Sequence, residues 1–188
     1  LRRRPIPRRR RGVSSPTVRT VVVPGPQGWP GAPPLSMNRH LNHFAKARVV
    51  RRLREETVGA LRAEAVAVGA EFVTATLHYR PAQRRTFDPN NLLPSLKPVV
   101  DALQPYSRSV GSNGRVRENI GYGVIPNDDA EHCRQTDVVI EPPQRGAAAW
   151  WVMLEIRYPA DMASISGADA AADEELVQRW ADMLAAEN

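Results

Sequence analysis

Short acidic and amide side chains gather at two places in the chain, and one lysine lies near the first. Residues 88–91 read Asp-Pro-Asn-Asn and are followed by Lys97 and Asp101, whereas residues 128–129 are an Asp-Asp pair. Mg²⁺ takes oxygen ligands of this kind, with one or two carboxylates acting beside substrate phosphates. Lys97 is one of two lysines among 24 arginines, and a lysine beside carboxylates can stabilise a phosphate or shift a pKa. The pattern indicates metal-assisted chemistry on a phosphate.

Each group also has a purely structural interpretation. Asp-Pro-Asn-Asn is a typical turn, because Asp and Asn cap the backbone and Pro fixes φ. The acidic pair after Pro126 and Asn127 equally fits a loop tip. Both groups lie at the ends of apolar segments, so folding can bring them together, and this joint arrangement favours a site.

Four motifs, taken in order, resemble the RusA-type Holliday-junction resolvases, especially those carried by actinobacterial phages. They are residues 33–38, residues 88–91, Lys97 with residues 101–103, and residues 123–129, and the resemblance covers residues 18–158. The resemblance implies a Mg²⁺-dependent crossover junction endodeoxyribonuclease that resolves four-way DNA junctions in recombination, repair or phage DNA processing. It also implies a homodimer, because two-fold symmetry suits the cutting of two strands of like polarity.

The resemblance also assigns roles to individual residues. The family pattern is Asp-x-Asp-Asn, a lysine at the start of the next helix, and an Asp-Asp pair of which the second acid is the favoured ligand. Asn91 takes the place of the family asparagine. The catalytic residues implied here are Asp88, Asn90, Lys97 and Asp129. The ligands implied for Mg²⁺, or for Mn²⁺ in its place, are Asp88, Asn90, Asp101, Asp128 and Asp129.

Two departures from the family pattern affect this site. Asn90 stands where the family has a second acid, and three extra residues precede Lys97. The lost charge weakens metal affinity, for which Asp101 can compensate. If residues 90–101 are helical, positions 90, 94, 97 and 101 share one face. The opposite, apolar stripe would face the core and consists of Leu92, Leu96, Val99, Val100 and Leu103.

The regular helix at this site is predicted to begin near Ser95. Pro98 is tolerated only in a first turn, where the amides lack intrahelical partners. A start at Ser95 weakens the alignment of Asn90 with the polar stripe.

Length and composition favour one domain with extensions. The chain has 188 residues, of which 42% are hydrophobic, and no apolar run approaches the roughly 20 residues of a membrane-spanning helix. Its arginine-rich start lacks the apolar region of a secretory signal. A single cysteine, Cys133, excludes an internal disulfide and a cysteine-based zinc site. We therefore expect a reducing cytoplasm, in a bacterium or a phage-infected host.

Charge divides the chain into three parts. Residues 1–16 form an arm with seven arginines and no acid, residues 17–158 form the nuclease-like domain, and residues 159–188 hold seven acids and one arginine. Like charges keep the arm from folding alone. It is expected either to bind DNA phosphates by counterion release or to be a solvated tail.

Hydrophobic periodicity predicts an α+β fold, with a small mixed β-sheet packed against two helices in an order near β-α-β-α-β-β. The predicted elements are a strand at 17–23, a helix at 41–68 capped by Ser36 or Asn38 and ended by Gly69, a strand at 71–79, a helix at 95–103, a loop at 104–127, a hairpin of 134–141 with 149–158, and an extra acidic amphipathic helix at 170–186. Trp150 and Trp151 are expected to pack in the core rather than stack on bases.

Six arginines are candidates for DNA contact. Two lie on the first helix, two follow the second strand, and two lie in the loop at 104–127: Arg51, Arg52, Arg84, Arg85, Arg115 and Arg117. Each also fits a solvated surface, and Glu55 and Glu56 can pair with arginines one turn away.

Two further hypotheses compete with the nuclease. The first is a DNA junction-binding protein without catalysis, in which Asn90 is the weakening change. The second is a phage interaction protein that uses its arm and acidic helix to dock. A nuclease loses cleavage and keeps binding when Asp88 becomes Asn, whereas an interaction protein shows no preference for branched DNA.

Overall fold

The computed structural model describes residues 16–25, 31–86 and 88–160. The expected basic arm, apart from its last residue, and the expected acidic helix lie outside these residues, as do Phe87 and most of the linker that follows the domain. Within the described ranges, neither helix combines the length and apolar character needed to cross a membrane.

Five strands of the described residues form one mixed sheet at the centre of the fold. β1 (Thr17–Pro24) and β2 (Phe72–Arg80) lie on either side of β7 (Ala149–Tyr158) and run antiparallel to it. β5 (Cys133–Gln135) and β6 (Val139–Ile140) pair in parallel with the other edge of β2. The predicted mixed α+β fold is confirmed.

Alternation along the strands gives the sheet its buried face. Val73, Ala75, Leu77 and Tyr79 of β2 are buried, whereas the residues between them are partly exposed. The same holds for every second residue of β7 from Trp150 to Tyr158. The helices α1 (His43–Ala63) and α2 (Leu96–Asp101) contact this sheet and each other. The packing role expected for Trp150 is confirmed, and Trp151 stacks on His78 with ring centroids 5.3 Å apart.

Helix α1 is shorter than the sequence predicted, and its caps differ. It begins at His43 because the Asn42 side chain accepts a hydrogen bond from the Ala45 amide at 2.8 Å, so the prediction of Ser36 or Asn38 was wrong. It ends well before Gly69, because Ala65 takes a left-handed φ of 48°. The amides of residues 65 and 66 then bond back to the carbonyls of residues 62 and 61, as in a Schellman motif. Phe44, the second residue of α1, is 78% exposed.

The segment before Lys97 is a 3₁₀ helix rather than α-helix. It spans Pro89–Ser95, and α2 follows at Leu96, close to the predicted start. A 3₁₀ turn holds three residues instead of 3.6, so residues 90–101 do not follow one α-helical period. The prediction that Asn90 shares a polar face with Lys97 and Asp101 was therefore wrong. The shared face holds for Lys97 and Asp101. The apolar stripe is confirmed, since Leu92, Leu96, Val99, Val100 and Leu103 are all buried.

The stretch predicted as a 24-residue loop contains a β-hairpin. β3 (Ser107–Val110) and β4 (Val116–Asn119) pair antiparallel in a separate two-stranded sheet. Every residue of β3 is exposed, so these strands lack the alternation that marks a half-buried strand. The turn is closed by a hydrogen bond from the Gly111 amide to the Arg115 carbonyl at 2.9 Å.

The predicted pairing of residues 134–141 with residues 149–158 was wrong. β7 already has antiparallel neighbours on both edges, and β5 and β6 lie on the far side of β2. The predicted single strand is divided in two at residues 136–138. The Thr136 hydroxyl donates to the Thr76 hydroxyl at 2.7 Å, and the ladder resumes at Val139. Alternation indicates which face of a strand is buried but carries no information about its neighbours.

Candidate functional site

Three of the predicted site residues meet at the end of α2. Lys97 and Asp101 lie one helical turn apart, with the ammonium 2.6 Å from Asp101 Oδ1. The same ammonium donates to Asp128 Oδ2, which approaches from the loop that precedes β5. Asp101 is largely buried, whereas the Lys97 side chain is 53% exposed. The arrangement presents a cationic group to solvent from a base of two carboxylates.

Two residues that the sequence did not indicate complete this cluster. Arg54, on α1, donates through Nη2 to Asp101 Oδ2 and through Nη1 to Asn119 Oδ1 at 2.8 Å. Asn119 is the last residue of β4. The guanidinium therefore joins α1, α2 and the hairpin. We call Arg54, Lys97, Asp101, Asn119 and Asp128 the Lys97 cluster.

The environment of Lys97 keeps it charged. Partial burial acts to lower the pKa of its ammonium, but the hydrogen bonds and charges of Asp101 and Asp128 outweigh that effect, so the net pKa is raised. With its pKa raised, the stabilisation from this ammonium is present below its usual pKa of 10.5 and is lost only above it. Lys97 can therefore act as a fixed positive charge at neutral pH and not as a base.

Asp129, the second acid of the pair, is held by its own loop. Its Oδ1 lies 2.7 Å from His132 Nδ1 and accepts from the amides of residues 131 and 132. Its Oδ2 accepts from the side-chain amide of Asn127 at 3.0 Å. The hydrogen bond to His132 is the main cause that lowers the pKa of Asp129. The ionised carboxylate therefore stabilises the folded protein above pH 3.8, and this stabilisation is lost as the pH falls. It is Asp128 that reaches Lys97.

The motif at residues 88–91 lies in and before the 3₁₀ helix. Asp88 caps that helix, because its Oδ1 accepts from the Asn90 amide at 3.1 Å. The Asn91 carbonyl accepts from the Met37 amide at 2.9 Å, which ties the motif to residues 33–38 of the resemblance. Asp88 and Asn90 are exposed. Their hydrogen bond to each other is that of a helix N-cap.

The candidate metal ligands differ in how far they converge. Asp101 and Asp128 offer carboxylate oxygens to one cationic group, and this donor type fits a hard divalent ion. Among the described residues, however, no group of three or more His, Cys, Asp and Glu side chains is placed to hold a metal ion.

The candidate DNA-binding arginines lie on three surfaces. On α1, Arg51 and Arg52 pair with Glu55 and Glu56 one turn on, at 2.8 and 3.5 Å, which is the solvated arrangement that the sequence also allowed. The remaining four are exposed, two after β2 and two on the hairpin: Arg84, Arg85, Arg115 and Arg117.

Arg54, Asn119 and His132 carry interactions that the sequence did not assign. Asn119 is 65 residues from Arg54, and Arg54 is 47 residues from Asp101. Short-range spacing in the sequence does not predict contacts between residues so far apart in the chain. The only sequence signal for Arg54 was its place among the basic residues of α1.

No protein-family model matches the chain, and no curated protein matches it either. The geometry of the Lys97 cluster and the motifs of the sequence are therefore the features of the chain that point to a function.

Proposed function

We propose that this protein is a Mg²⁺-dependent endodeoxyribonuclease that cuts branched DNA and resolves four-way junctions. The observation that carries the proposal is the convergence of Lys97, Asp101 and Asp128. Lys97 and Asp101 lie in α2, whereas Asp128 lies 31 residues after Lys97, in the loop that follows the hairpin. In a loop that is only solvated, a lysine side chain points into water, whereas the Lys97 ammonium is held by two carboxylates. These three residues also belong to motifs that resemble the RusA-type resolvases.

Magnesium fits the donor chemistry of this site. Asp101 and Asp128 would hold it, with Asp88, Asn90 and Asp129 as the further ligands implied by the resemblance. When bound, the metal supplies an activated water and stabilises charge on the phosphate.

The chain's own residues bind and orient the DNA. Lys97 is fixed by its two carboxylates and half exposed, so it can stabilise negative charge on a phosphate without reorganising. Arg84, Arg85, Arg115 and Arg117 supply exposed charge for neighbouring phosphates. We further propose a homodimer that acts in the cytoplasm, with one site for each of two strands.

A second candidate, a junction-binding protein without catalysis, is favoured by one observation. Two carboxylates of the Lys97 cluster face two cations, Lys97 and Arg54, and no third acid joins them among the described residues. A cluster of zero formal charge attracts a divalent ion less than a bare acidic site does.

Cleavage of a labelled four-way junction separates the two functions. We expect cuts with Mg²⁺ and none with Ca²⁺ or EDTA. Asp128→Asn and Lys97→Met should each reduce the cleavage rate by about 100-fold or more, while binding measured in EDTA persists. Asp137→Asn and Lys46→Met are matched controls at exposed positions outside the cluster. Absence of Mg²⁺-dependent cuts alongside tight junction binding would establish the non-catalytic alternative.

A further inference from the structure

The β3–β4 hairpin exposes an apolar tip. Val110 and Val116 face each other across the last pair of its ladder and are 67% and 49% exposed. Two-stranded ribbons are marginal in water unless another surface supports them. Among the described residues, no other element covers this pair of valines, so packing within the domain does not explain them.

The base of the hairpin is firmly anchored. Asn119 bonds to Arg54 of the Lys97 cluster. Just beyond it, the Tyr122 amide donates to the Ala102 carbonyl at 2.8 Å, and the Gly123 amide donates to the Gln104 carbonyl at 3.0 Å. Gly121 lies so close to Gln104 that an added Cβ would be 2.0 Å from its carbonyl oxygen. The hairpin therefore projects from a fixed base.

The charge of the hairpin suits a polyanion. Residues 107–119 hold three arginines and one glutamate, a formal charge of +2. Arg117 lies opposite Ser109, and Arg115 lies in the turn beside Val116. Positive side chains thus flank the apolar tip on a ribbon, and two-stranded ribbons are of a size that enters DNA grooves.

We propose that the hairpin is the element that recognises branched DNA, with Val110 and Val116 inserted at the branch point. This inference rests on the proposed function for its ligand, DNA. A branch point offers base pairs whose stacking is interrupted on one side, and apolar wedges insert at weakened steps of this kind. The arginines hold the flanking phosphates, which position the hairpin without reading sequence.

Arg54 links this recognition to the Lys97 cluster. One guanidinium bonds both Asn119 at the hairpin base and Asp101 beside Lys97. A branch point held by the hairpin is therefore placed at a fixed distance from Lys97. The hairpin determines which DNA is bound, and the cluster acts on the phosphate brought beside it.

The test is a double variant, Val110→Ser with Val116→Ser, in the full chain. Fluorescence anisotropy in EDTA compares a four-way junction with a linear duplex of the same composition. We expect junction affinity to fall about tenfold, as the loss of apolar burial implies, with duplex affinity unchanged. Val18→Ser, at a valine 55% exposed on β1, is the matched control and should alter neither affinity. Both valines are exposed, so the double variant should fold normally, which circular dichroism checks.

A second measurement reports insertion itself. 2-Aminopurine at the branch point brightens when its neighbours unstack, and we expect the wild type and the control to brighten it but the double variant not to. An unchanged junction preference, or unchanged brightening, in the double variant overturns the inference even if the protein cleaves. Loss of both in a protein that never cleaves supports the inference and removes the nuclease proposal.

Discussion

The Cys133 thiol lies at the start of β5, within reach of the charges of Asp128 and Lys97. Burial is the main cause that raises its pKa from 9.0 to about 11; the charge of Asp128 raises it further and Lys97 opposes them. With the pKa raised, the contribution of the protonated thiol to stability is present below pH 9.0 and is lost as the pH rises towards 11. The thiolate is the reactive form, so folding should protect this group.

Alkylation with iodoacetamide at pH 8 tests this protection. A pKa about two units higher leaves roughly 100-fold less thiolate, so we expect the native protein to react at least about 100-fold more slowly than the protein in denaturant. The chain has a single cysteine, so one mass shift reports the rate. Equal rates in the two states would show that the thiol is not buried in solution.

The sequence predicted the local part of the Lys97 cluster. Lys97 and Asp101 lie four residues apart in a helix, and the helical period brings them together. The meeting with Asp128 was expected from the resemblance and from the position of both groups at the ends of apolar segments, and no residue spacing predicts it. Arg54 and Asn119 depend on how α1, α2 and the hairpin pack, and no local pattern encodes that packing.

Two glycines give opposite expectations at the scale of secondary-structure elements. Gly121→Ala places a methyl group against the backbone of Gln104 and should cost about 2 kcal/mol or more. Gly59→Ala lies in α1 with no atom of another element within 4 Å, and it should stabilise the protein by about 0.5–1 kcal/mol through helix propensity. Urea denaturation measures both. Equal effects of the two substitutions would contradict the close contact at the hairpin base.

Elements that pack on the core were the ones the sequence predicted. β2 and β7 bury every second residue over most of their length, and β1 buries the consecutive valines 21–23; both patterns are visible in the sequence. The hairpin was missed because its strands bury nothing, and β5 and β6 were merged because both follow one edge of β2. Strand order was beyond reach, since neighbouring strands are chosen by packing across the whole sheet.

The distribution of charge over the chain predicts different roles in DNA binding for the arm and the hairpin. The arm, residues 1–16, lies almost wholly outside the described residues, and its seven arginines have no nearby acid in the sequence. Such a segment binds phosphates without regard to DNA shape. The hairpin carries less charge, and its proposed role is to respond to the branch.

Deletion of residues 1–16 should therefore weaken binding to linear and branched DNA by the same factor. Each lost phosphate contact reduces the slope of log affinity against log salt by about 0.9, so the slope should fall by up to about 6. Replacing the seven arginines with lysine preserves charge and should preserve the slope. A slope that deletion leaves unchanged would mean that the arm does not reach the DNA. A deletion that weakens only junction binding would move branch recognition from the hairpin to the arm, because counterion release alone cannot distinguish a junction from a duplex of equal charge.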